Sequence, residues 1–241
     1  MYAAYAGAAY AISNSWNCNN ECEHPGTEGT EVLYNWDTQH VTSNGYIARN
    51  PDKKLIVVAF RGSAETGDWV ESFMASPVQW PSTISGSIVV RGFLDGYLVS
   101  SEDVLQNTVD LAATYPDHTI VAVGHSLGGA RASMFVADLS TKYPQLVSRV
   151  QLYTYGQAKV GNDVFADYMD NLNAPMYRVV NKGDMAPHLP MVGNMVHFGT
   201  EIWLTANGQS TVCKKGDYSK CSESLPAMAY NFQDHSTYPG L

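Results

Sequence analysis

The chain has 241 residues, of which 45% are hydrophobic and only 15% are charged, and its formal net charge is −9. This composition fills a sizeable core and excludes a disordered chain, and the acidic balance disfavours nucleic acid as a partner because like charges repel the phosphate backbone. No run of about 18 apolar residues occurs, so the sequence predicts no membrane-spanning helix.

Four cysteines lie in two local pairs, the first of them in a segment rich in Asn, Glu and Gly that is predicted to be a loop. The pairs are Cys18 with Cys22 and Cys213 with Cys221. Neither spacing is C-x-x-C and no histidine stands at zinc-finger spacing, so a metal site is not predicted. Of the three possible connectivities we favour two local disulfides, and four free buried thiols are the alternative. Local disulfides form in oxidising compartments, so this pairing predicts a secreted, extracellular protein.

Strand and helix patterns alternate along the middle of the chain. Nearly continuous apolar runs are typical of strands buried on both faces of a sheet. The predicted strands are Leu55–Phe60, Thr119–Val123, Val150–Tyr155 and Met176–Val180. The predicted helices are Ser101–Tyr115, Leu127–Tyr143 and Val164–Leu172. This alternation predicts an α/β fold with a mostly parallel central sheet flanked by helices, in a single domain over residues 1–241.

An amphipathic segment follows the first predicted strand and the motif Phe60-Arg61-Gly62-Ser63. Its apolar residues share one helix face and are Trp69, Val70, Phe73 and Met74. A short helix of this kind beside an active site is compatible with a lid that covers the site in water and opens at an oil surface. From the pattern alone, a surface helix docked permanently on the core is the more common case.

The second predicted strand runs into Gly124-His125-Ser126-Leu127-Gly128, a match to G-x-S-x-G that opens the next predicted helix. Strand, sharp turn and helix are the context of a nucleophile elbow, so Ser126 is the predicted nucleophile of an ester hydrolase. A simple strand–helix turn is the alternative. The backbone N–H groups of Ser63 and Leu127 are the predicted oxyanion donors. His125 points away from Ser126 on so sharp a turn and is predicted to be structural.

The acid and then the base follow the nucleophile along the chain in this kind of hydrolase. Asp184 comes four residues after the strand Met176–Val180, at the carboxyl end where active sites of open α/β sheets lie, and is the predicted acid. Of three downstream histidines, His235 in a late loop is favoured as the base. His188 lies between two prolines and His197 begins another predicted strand, and both stay open as alternatives.

Motifs spread over nearly the whole chain match one enzyme family. The most specific are Phe60-Arg61-Gly62-Ser63, Gly124-His125-Ser126-Leu127-Gly128-Gly129 and Tyr155-Gly156-Gln157-Ala158-Lys159-Val160-Gly161-Asn162. Similar residues run from Tyr2-Ala3-Ala4-Tyr5 to Asp234-His235-Ser236-Thr237-Tyr238. By these motifs the chain resembles the secreted class 3 lipases of filamentous fungi, the Rhizomucor-type lipases, whose relatives include feruloyl esterases.

The resemblance implies the α/β-hydrolase fold and assigns roles to residues already singled out. It implies a catalytic triad of Ser126, Asp184 and His235, and an oxyanion hole of Ser63 and Leu127. It implies a lid over the segment that contains the four apolar residues named above. That segment is apolar here and polar in the feruloyl esterases, so the resemblance favours a lipase. It also supports the local pairing of the four cysteines.

From these inferences we expect a secreted triacylglycerol lipase that hydrolyses acylglycerols at an oil–water interface through an acyl-enzyme intermediate. A feruloyl or short-chain esterase is the alternative among enzymes, and a non-catalytic lipid-binding relative is the alternative from another class. We expect neither a metal nor an organic cofactor, and a monomer without integral membrane association. The residues expected to line the acyl groove, because they lie near the motifs, are Phe93, Leu127, Val160 and Leu189.

Overall fold

The computed structural model describes residues 1–11, 14–18, 24–38, 43–63, 76–191 and 193–241. Over those ranges the chain forms an α/β fold with a mostly parallel central sheet, as its sequence predicts. No helix in the described ranges is long and apolar enough to cross a membrane. The predicted lid residues lie outside the described residues; they are Trp69, Val70, Phe73 and Met74.

Eight strands of the described residues form the central sheet, and two more form a small separate one. Their bounds are β1 Glu31–Asp37, β2 Asn44–Asn50, β3 Leu55–Phe60, β4 Pro77–Gln79, β5 Ile88–Val90, β6 Thr119–His125, β7 Val150–Tyr155, β8 Met176–Asn181, β9 Thr200–Leu204 and β10 Ser210–Cys213. The order across the central sheet is β1-β2-β3-β6-β7-β8-β9-β10. The strands from β3 to β9 pair in parallel, whereas β1, β2 and β10 pair antiparallel at the two edges. The carboxyl ends of the parallel strands therefore meet along one edge, where α/β enzymes build their sites.

Helices cover both faces of this sheet. Their bounds are α1 Tyr2–Ala8, α2 Arg91–Leu98, α3 Ser101–Thr114, α4 Leu127–Lys142 and α5 Asp163–Asn171. The central helix, α4, is buried from Leu127 to Ser140, because it packs on β3, β6 and β7 and is covered in turn by α2. On the opposite face α1 packs across β3, β6 and β7. The sheet is thus the middle layer of three.

Strand β3 shows why the predicted runs are apolar throughout. All six of its residues are buried. Its alternate side chains Ile56 and Phe60 enter the larger core cluster with α4, while Val57 and Ala59 enter the smaller cluster with α1. Successive side chains of a strand point to opposite faces, so a strand between two helical layers needs apolar residues at every position.

The predicted elements agree closely with the observed ones. Strands β3 and β7 have the predicted bounds, and the three predicted helices end within about one residue of the prediction. The prediction that His197 begins a strand is wrong, since β9 begins at Thr200. Gly199 has a φ of +73° just before it, a left-handed conformation that interrupts extended backbone.

A disulfide closes the far edge of the sheet. Cys213 at the end of β10 is bonded to Cys221, with their Cα atoms 6.1 Å apart. Cys18 is also disulfide-bonded, and its predicted partner Cys22 lies outside the described residues.

Candidate active site

Ser126 lies in the sharp turn between β6 and α4, with φ 57° and ψ −129°. A positive φ costs a non-glycine residue roughly 1–3 kcal/mol and persists where the surrounding structure enforces it. Two glycines allow the close crossing: a Cβ at Gly124 would lie 2.3 Å from the carbonyl oxygen of Gly128. A Cβ at Gly128 would lie 2.1 Å from the carbonyl oxygen of Phe60 on the neighbouring strand. The serine is therefore presented on a strand–turn–helix of the kind that G-x-S-x-G predicts.

His235 connects Ser126 to Asp184 by hydrogen bonds. Its Nε2 lies 2.8 Å from Ser126 Oγ. Its Nδ1 lies 2.9 Å from each carboxylate oxygen of Asp184. The three residues are buried, with 4%, 0% and 6% of Ser126, Asp184 and His235 exposed. Because a carboxylate accepts, the shared proton belongs to Nδ1, which leaves Nε2 free to accept the proton of the serine hydroxyl.

Asp184 comes shortly after β8, and two further donors hold its carboxylate. The backbone N–H of Ala186 donates to Oδ1 at 2.9 Å, and the Tyr238 hydroxyl donates to Oδ2 at 2.5 Å. The Tyr238 oxygen in turn accepts the backbone N–H of Asn181 at 3.1 Å. Burial, and then the nearby Asp184, raise the pKa of Tyr238 well above its usual range, so it stays a donor. The sequence did not predict this role, and its only signal is the position of Tyr238 three residues after His235.

The other two histidines that the sequence left open as the base make different contacts. His197 Nε2 donates to the carbonyl oxygen of Pro187 at 2.7 Å. His188 stacks on Tyr230, with ring centroids 3.8 Å apart. Burial lowers the pKa of His188 to about 4 and that of His197 well below 6.5, so both are neutral at neutral pH. Of the three, His235 alone is the one whose hydrogen bonds within the described residues reach Ser126 and Asp184.

The two predicted oxyanion donors are brought to the same edge of the sheet. Phe60 at the end of β3 pairs with Gly124 of β6, so the loop that carries Ser63 starts beside the turn that carries Ser126. A Cβ at Gly62, the residue before Ser63, would lie 3.2 Å from Ser126 Cβ. Leu127 is the first residue of α4, and the amide of a first helical residue has no intrahelical acceptor. The two predicted donors therefore belong to segments that lie side by side at this edge, and their role as an oxyanion hole stays a prediction.

The residues predicted to line the acyl groove belong to the core on the α4 face. Phe93, Leu127 and Val160 are fully buried members of the larger core cluster, and the half-buried Leu189 packs against it. Their placement in the core on the α4 side is observed, and their role in lining an acyl groove stays a prediction.

A buried ion pair braces the strands beneath the acid loop. Arg178 of β8 and Glu201 of β9 are each 1% exposed, and their side chains lie 3.2 Å apart. Arg178 also donates to the carbonyl oxygen of Phe198 at 2.8 Å, and Glu201 accepts the backbone N–H of Ser222 at 2.9 Å. These bonds tie β8, and with it the loop that carries Asp184, to β9 and the segment after β10.

The described residues include no group of three or more His, Cys, Asp or Glu side chains that could hold a metal ion. The arrangement places a hydroxyl, an imidazole and a buried carboxylate in hydrogen-bonded sequence, which is the pattern of an activated nucleophile.

Comparison with known proteins gives concordant matches. The family model described as lipase (class 3) matches residues 57–194. A lipase of Rhizomucor miehei is 34% identical over an alignment of 232 residues, and the match covers 94% of this chain and 62% of the relative. The secreted mono- and diacylglycerol lipase A of Penicillium cyclopium is 28% identical over 223 residues, 88% of this chain and 71% of that protein.

A solved triacylglycerol lipase, described as having a serine protease triad as its catalytic centre, is similar in structure as well. Its TM-score is 0.90 at 33% identity, and the match covers 99% of this chain and 92% of that one. The chain spans less than two thirds of the length of the Rhizomucor miehei lipase with which it aligns.

Proposed function

The chain belongs to the class 3 lipase family, and from that premise we propose that it is a serine carboxylic ester hydrolase that acts on acylglycerols. The observation that carries the proposal is the buried hydrogen-bonded sequence Asp184–His235–Ser126, with contacts of 2.9 and 2.8 Å. A nucleophile, its base and the group that orients the base are thereby in reach of one another without further movement.

In the proposed first half-reaction, Ser126 Oγ attacks the ester carbonyl carbon while its proton passes to His235 Nε2. Asp184 accepts the hydrogen bond of Nδ1–H, which fixes the tautomer and stabilises the imidazolium. The oxyanion of the tetrahedral intermediate is stabilised by the backbone N–H groups of Ser63 and Leu127. The intermediate then collapses, and the departing alcohol takes the proton from His235 Nε2.

The second half-reaction repeats these steps with water. Water attacks the acyl carbonyl while His235 Nε2 takes its proton, and the same two amides stabilise the second tetrahedral intermediate. Collapse releases the carboxylic acid and returns the proton to Ser126 Oγ. Each proton moves between His235 and Ser126, the departing alcohol or water, so the proposed cycle uses no cofactor.

The apolar core that begins at Leu127, next to Ser126, supports an acyl chain as the group bound on this side. The proposed acyl groove contains Phe93, Leu127, Val160 and Leu189, all of which belong to or contact the larger core cluster. The similarity to a mono- and diacylglycerol lipase and to a triacylglycerol lipase supports acylglycerols as the substrate class. The apolar segment that contains Trp69 is the proposed lid, and interfacial activity is part of the proposal.

We propose a single domain over residues 1–241 that acts as a monomer outside the cell. The disulfide between Cys213 and Cys221 supports an oxidising compartment, and a relative is described as secreted.

The test measures initial rates on tributyrin, triolein emulsion and methyl ferulate, together with labelling of Ser126 by a fluorophosphonate. We expect hydrolysis of both glycerides, a higher rate above the solubility limit of tributyrin, and loss of hydrolysis and labelling in Ser126→Ala. Ser140→Ala is the matched control, because it removes a buried serine hydroxyl of α4 that bonds Ala137 and Tyr168 and not His235.

Each alternative has its own outcome in this test. Hydrolysis of methyl ferulate or soluble short esters without triolein hydrolysis identifies an esterase and contradicts the acylglycerol assignment. Absence of both hydrolysis and labelling of Ser126 in a folded protein contradicts the enzyme assignment and leaves a lipid-binding relative.

A further inference from the structure

His125, the residue before the nucleophile, lies against the base. Its ring centroid is 4.6 Å from that of His235, and its Nε2 is 2.9 Å from the carbonyl oxygen of His235. A carbonyl oxygen only accepts, so Nε2 of His125 carries the hydrogen and donates it. In the neutral ring Nδ1 is then an acceptor.

Tyr10 supplies the donor for that acceptor. Its hydroxyl lies 2.8 Å from His125 Nδ1 and therefore donates to it. The same hydroxyl oxygen accepts the backbone N–H of Gly62. A Cβ at Gly62 would lie 2.2 Å from this oxygen, so the close approach requires glycine. The hydrogen bonds thus run in one direction, from Gly62 through Tyr10 to His125, and His125 donates onward to His235.

The protonation states of both groups preserve this direction. Burial, and then the neighbouring His235, lower the pKa of His125 to about 3, so its ring is neutral whenever His235 can act as a base. Burial raises the pKa of Tyr10, so its hydroxyl keeps its proton. A neutral His125 also spares His235 a positive neighbour when the imidazolium forms.

The two ends of this hydrogen-bonded chain are parts of the proposed catalytic site. Gly62 immediately precedes Ser63, one of the two oxyanion donors. The carbonyl at the other end belongs to His235 itself. This hydrogen-bonded chain connects elements that are far apart in sequence. Tyr10 and His125 are 115 residues apart, and His125 and His235 are 110 residues apart.

We propose that Tyr10 and His125 are positioning residues, which fix the oxyanion loop at Gly62–Ser63 relative to the base His235. The proposal rests on the ester hydrolase function proposed above. Transition-state stabilisation needs the oxyanion donors and the base in register at the same moment, and a misplacement of about 1 Å costs up to roughly 100-fold in rate. Substrate binding before the reaction does not depend on how the oxyanion donors are placed relative to the base.

Four variants interrupt the hydrogen-bonded chain from Gly62 to His235 at different points. Tyr10→Phe removes the hydroxyl that joins Gly62 to His125. His125→Phe keeps a ring and removes both of its hydrogen bonds. His125→Gln keeps a donor near the Nε2 position for the His235 carbonyl, and Tyr10→Phe/His125→Phe combines the two losses. Tyr168→Phe is the matched control, because it removes a half-buried tyrosine hydroxyl that bonds Ser140 at 2.8 Å on the far part of α4.

Hydrolysis of p-nitrophenyl butyrate is measured for each variant. We expect Tyr10→Phe and His125→Phe each to lower kcat roughly 10- to 100-fold, with KM changed less than twofold. The double variant should fall no further than the worse single variant, because both act through one chain. His125→Gln should recover part of the loss of His125→Phe, and Tyr168→Phe should match the wild type. The inhibition constant of a trifluoromethyl ketone, which forms an oxyanion at Ser126, should rise by the same factor as kcat/KM falls.

Outcomes against the proposal are equally definite. Unchanged kcat in Tyr10→Phe, a rise in KM alone, or additive losses in the double variant would each overturn it. If Tyr10→Phe does not fold, the test is the comparison of kcat between His125→Gln and His125→Phe. A kcat of His125→Gln no higher than that of His125→Phe would contradict the proposal. A wild type without ester hydrolysis and without fluorophosphonate labelling of Ser126 refutes the proposed function, whereas an active wild type with an equally active Tyr10→Phe refutes only the positioning role.

Discussion

Replacing Asp184 by Asn tests the proposed triad without changing the shape of the site. Three donors converge on the two carboxylate oxygens: the N–H of Ala186, the hydroxyl of Tyr238 and Nδ1–H of His235. An amide offers one oxygen and one NH₂ group in the same space. If the oxygen keeps Ala186, the NH₂ group faces both Tyr238 and His235.

The NH₂ group would then donate to His235 Nδ1 and move the ring hydrogen to Nε2. In that tautomer His235 cannot accept the proton of Ser126, which it approaches at 2.8 Å. The variant loses two hydrogen bonds to a charged acceptor, each worth about 1.5–3 kcal/mol. The sum, about 3–6 kcal/mol, corresponds to a fall in kcat of roughly 10²- to 10⁴-fold at 1.36 kcal/mol per decade.

The assay is steady-state hydrolysis of p-nitrophenyl butyrate, with Ser126→Ala as the background rate and circular dichroism as the check of folding. Asp163→Asn is the control, because this exposed carboxylate also follows a parallel strand and lies in the first turn of α5. It should leave kcat unchanged. A folded Asp184→Asn protein whose Ser126-dependent kcat falls less than tenfold would refute the reasoning.

Three further predictions concern stability. Glu201→Gln leaves the buried Arg178 without its counter-charge and should lower the free energy of unfolding by about 3–5 kcal/mol in urea denaturation. Replacing both Cys213 and Cys221 by Ala opens a link between residues eight apart and should cost about 2–3 kcal/mol in the same assay. Burial lowers the pKa of His188 from 6.5 to about 4. Between these values the unfolded chain binds a proton that the folded protein does not, so the free energy of unfolding should be highest above about pH 6.5 and should fall by up to ~1.4 kcal/mol per pH unit as the pH drops to 4.

Each of these has a control and a contrary result. An exposed pair such as Lys220 and Asp217 should contribute less than about 1 kcal/mol, so an equal loss in Asp217→Asn would contradict the reasoning for Glu201. Reduction of the wild type also opens the disulfide of Cys18, so it should lower the free energy of unfolding at least as much as the double cysteine variant does. A double variant as stable as the oxidised protein would contradict the predicted loop effect. His188→Phe keeps the stacking on Tyr230 and should flatten the acid limb of stability, whereas an unchanged limb would show that His188 does not contribute to it.

The local pattern of apolar residues predicted most of the parallel strands of the sheet. It predicted none of the antiparallel strands at the edges. Strands β3 and β7 have continuous apolar runs because helices cover both of their faces, and their predicted bounds are those observed. Strands β1 and β10 are exposed at alternate positions and lie at the edges, so their sequences carry Glu, Asn, Ser and Thr. Their pairing partner, rather than their own composition, makes them strands.

The sequence by itself determined the fold class and singled out Ser126 and Asp184, because a strand, a tight glycine turn and a helix are local features that a short motif encodes. Among the three downstream histidines the late position and the family resemblance favoured His235, but only the tertiary structure places its Nε2 2.8 Å from the Oγ of a serine 109 residues away. Tyr10 and Tyr238 gained their contacts in the same way. Such a hydrogen bond depends on how close two loops, distant in sequence, lie in the folded protein. The residue pattern within either loop does not predict that distance.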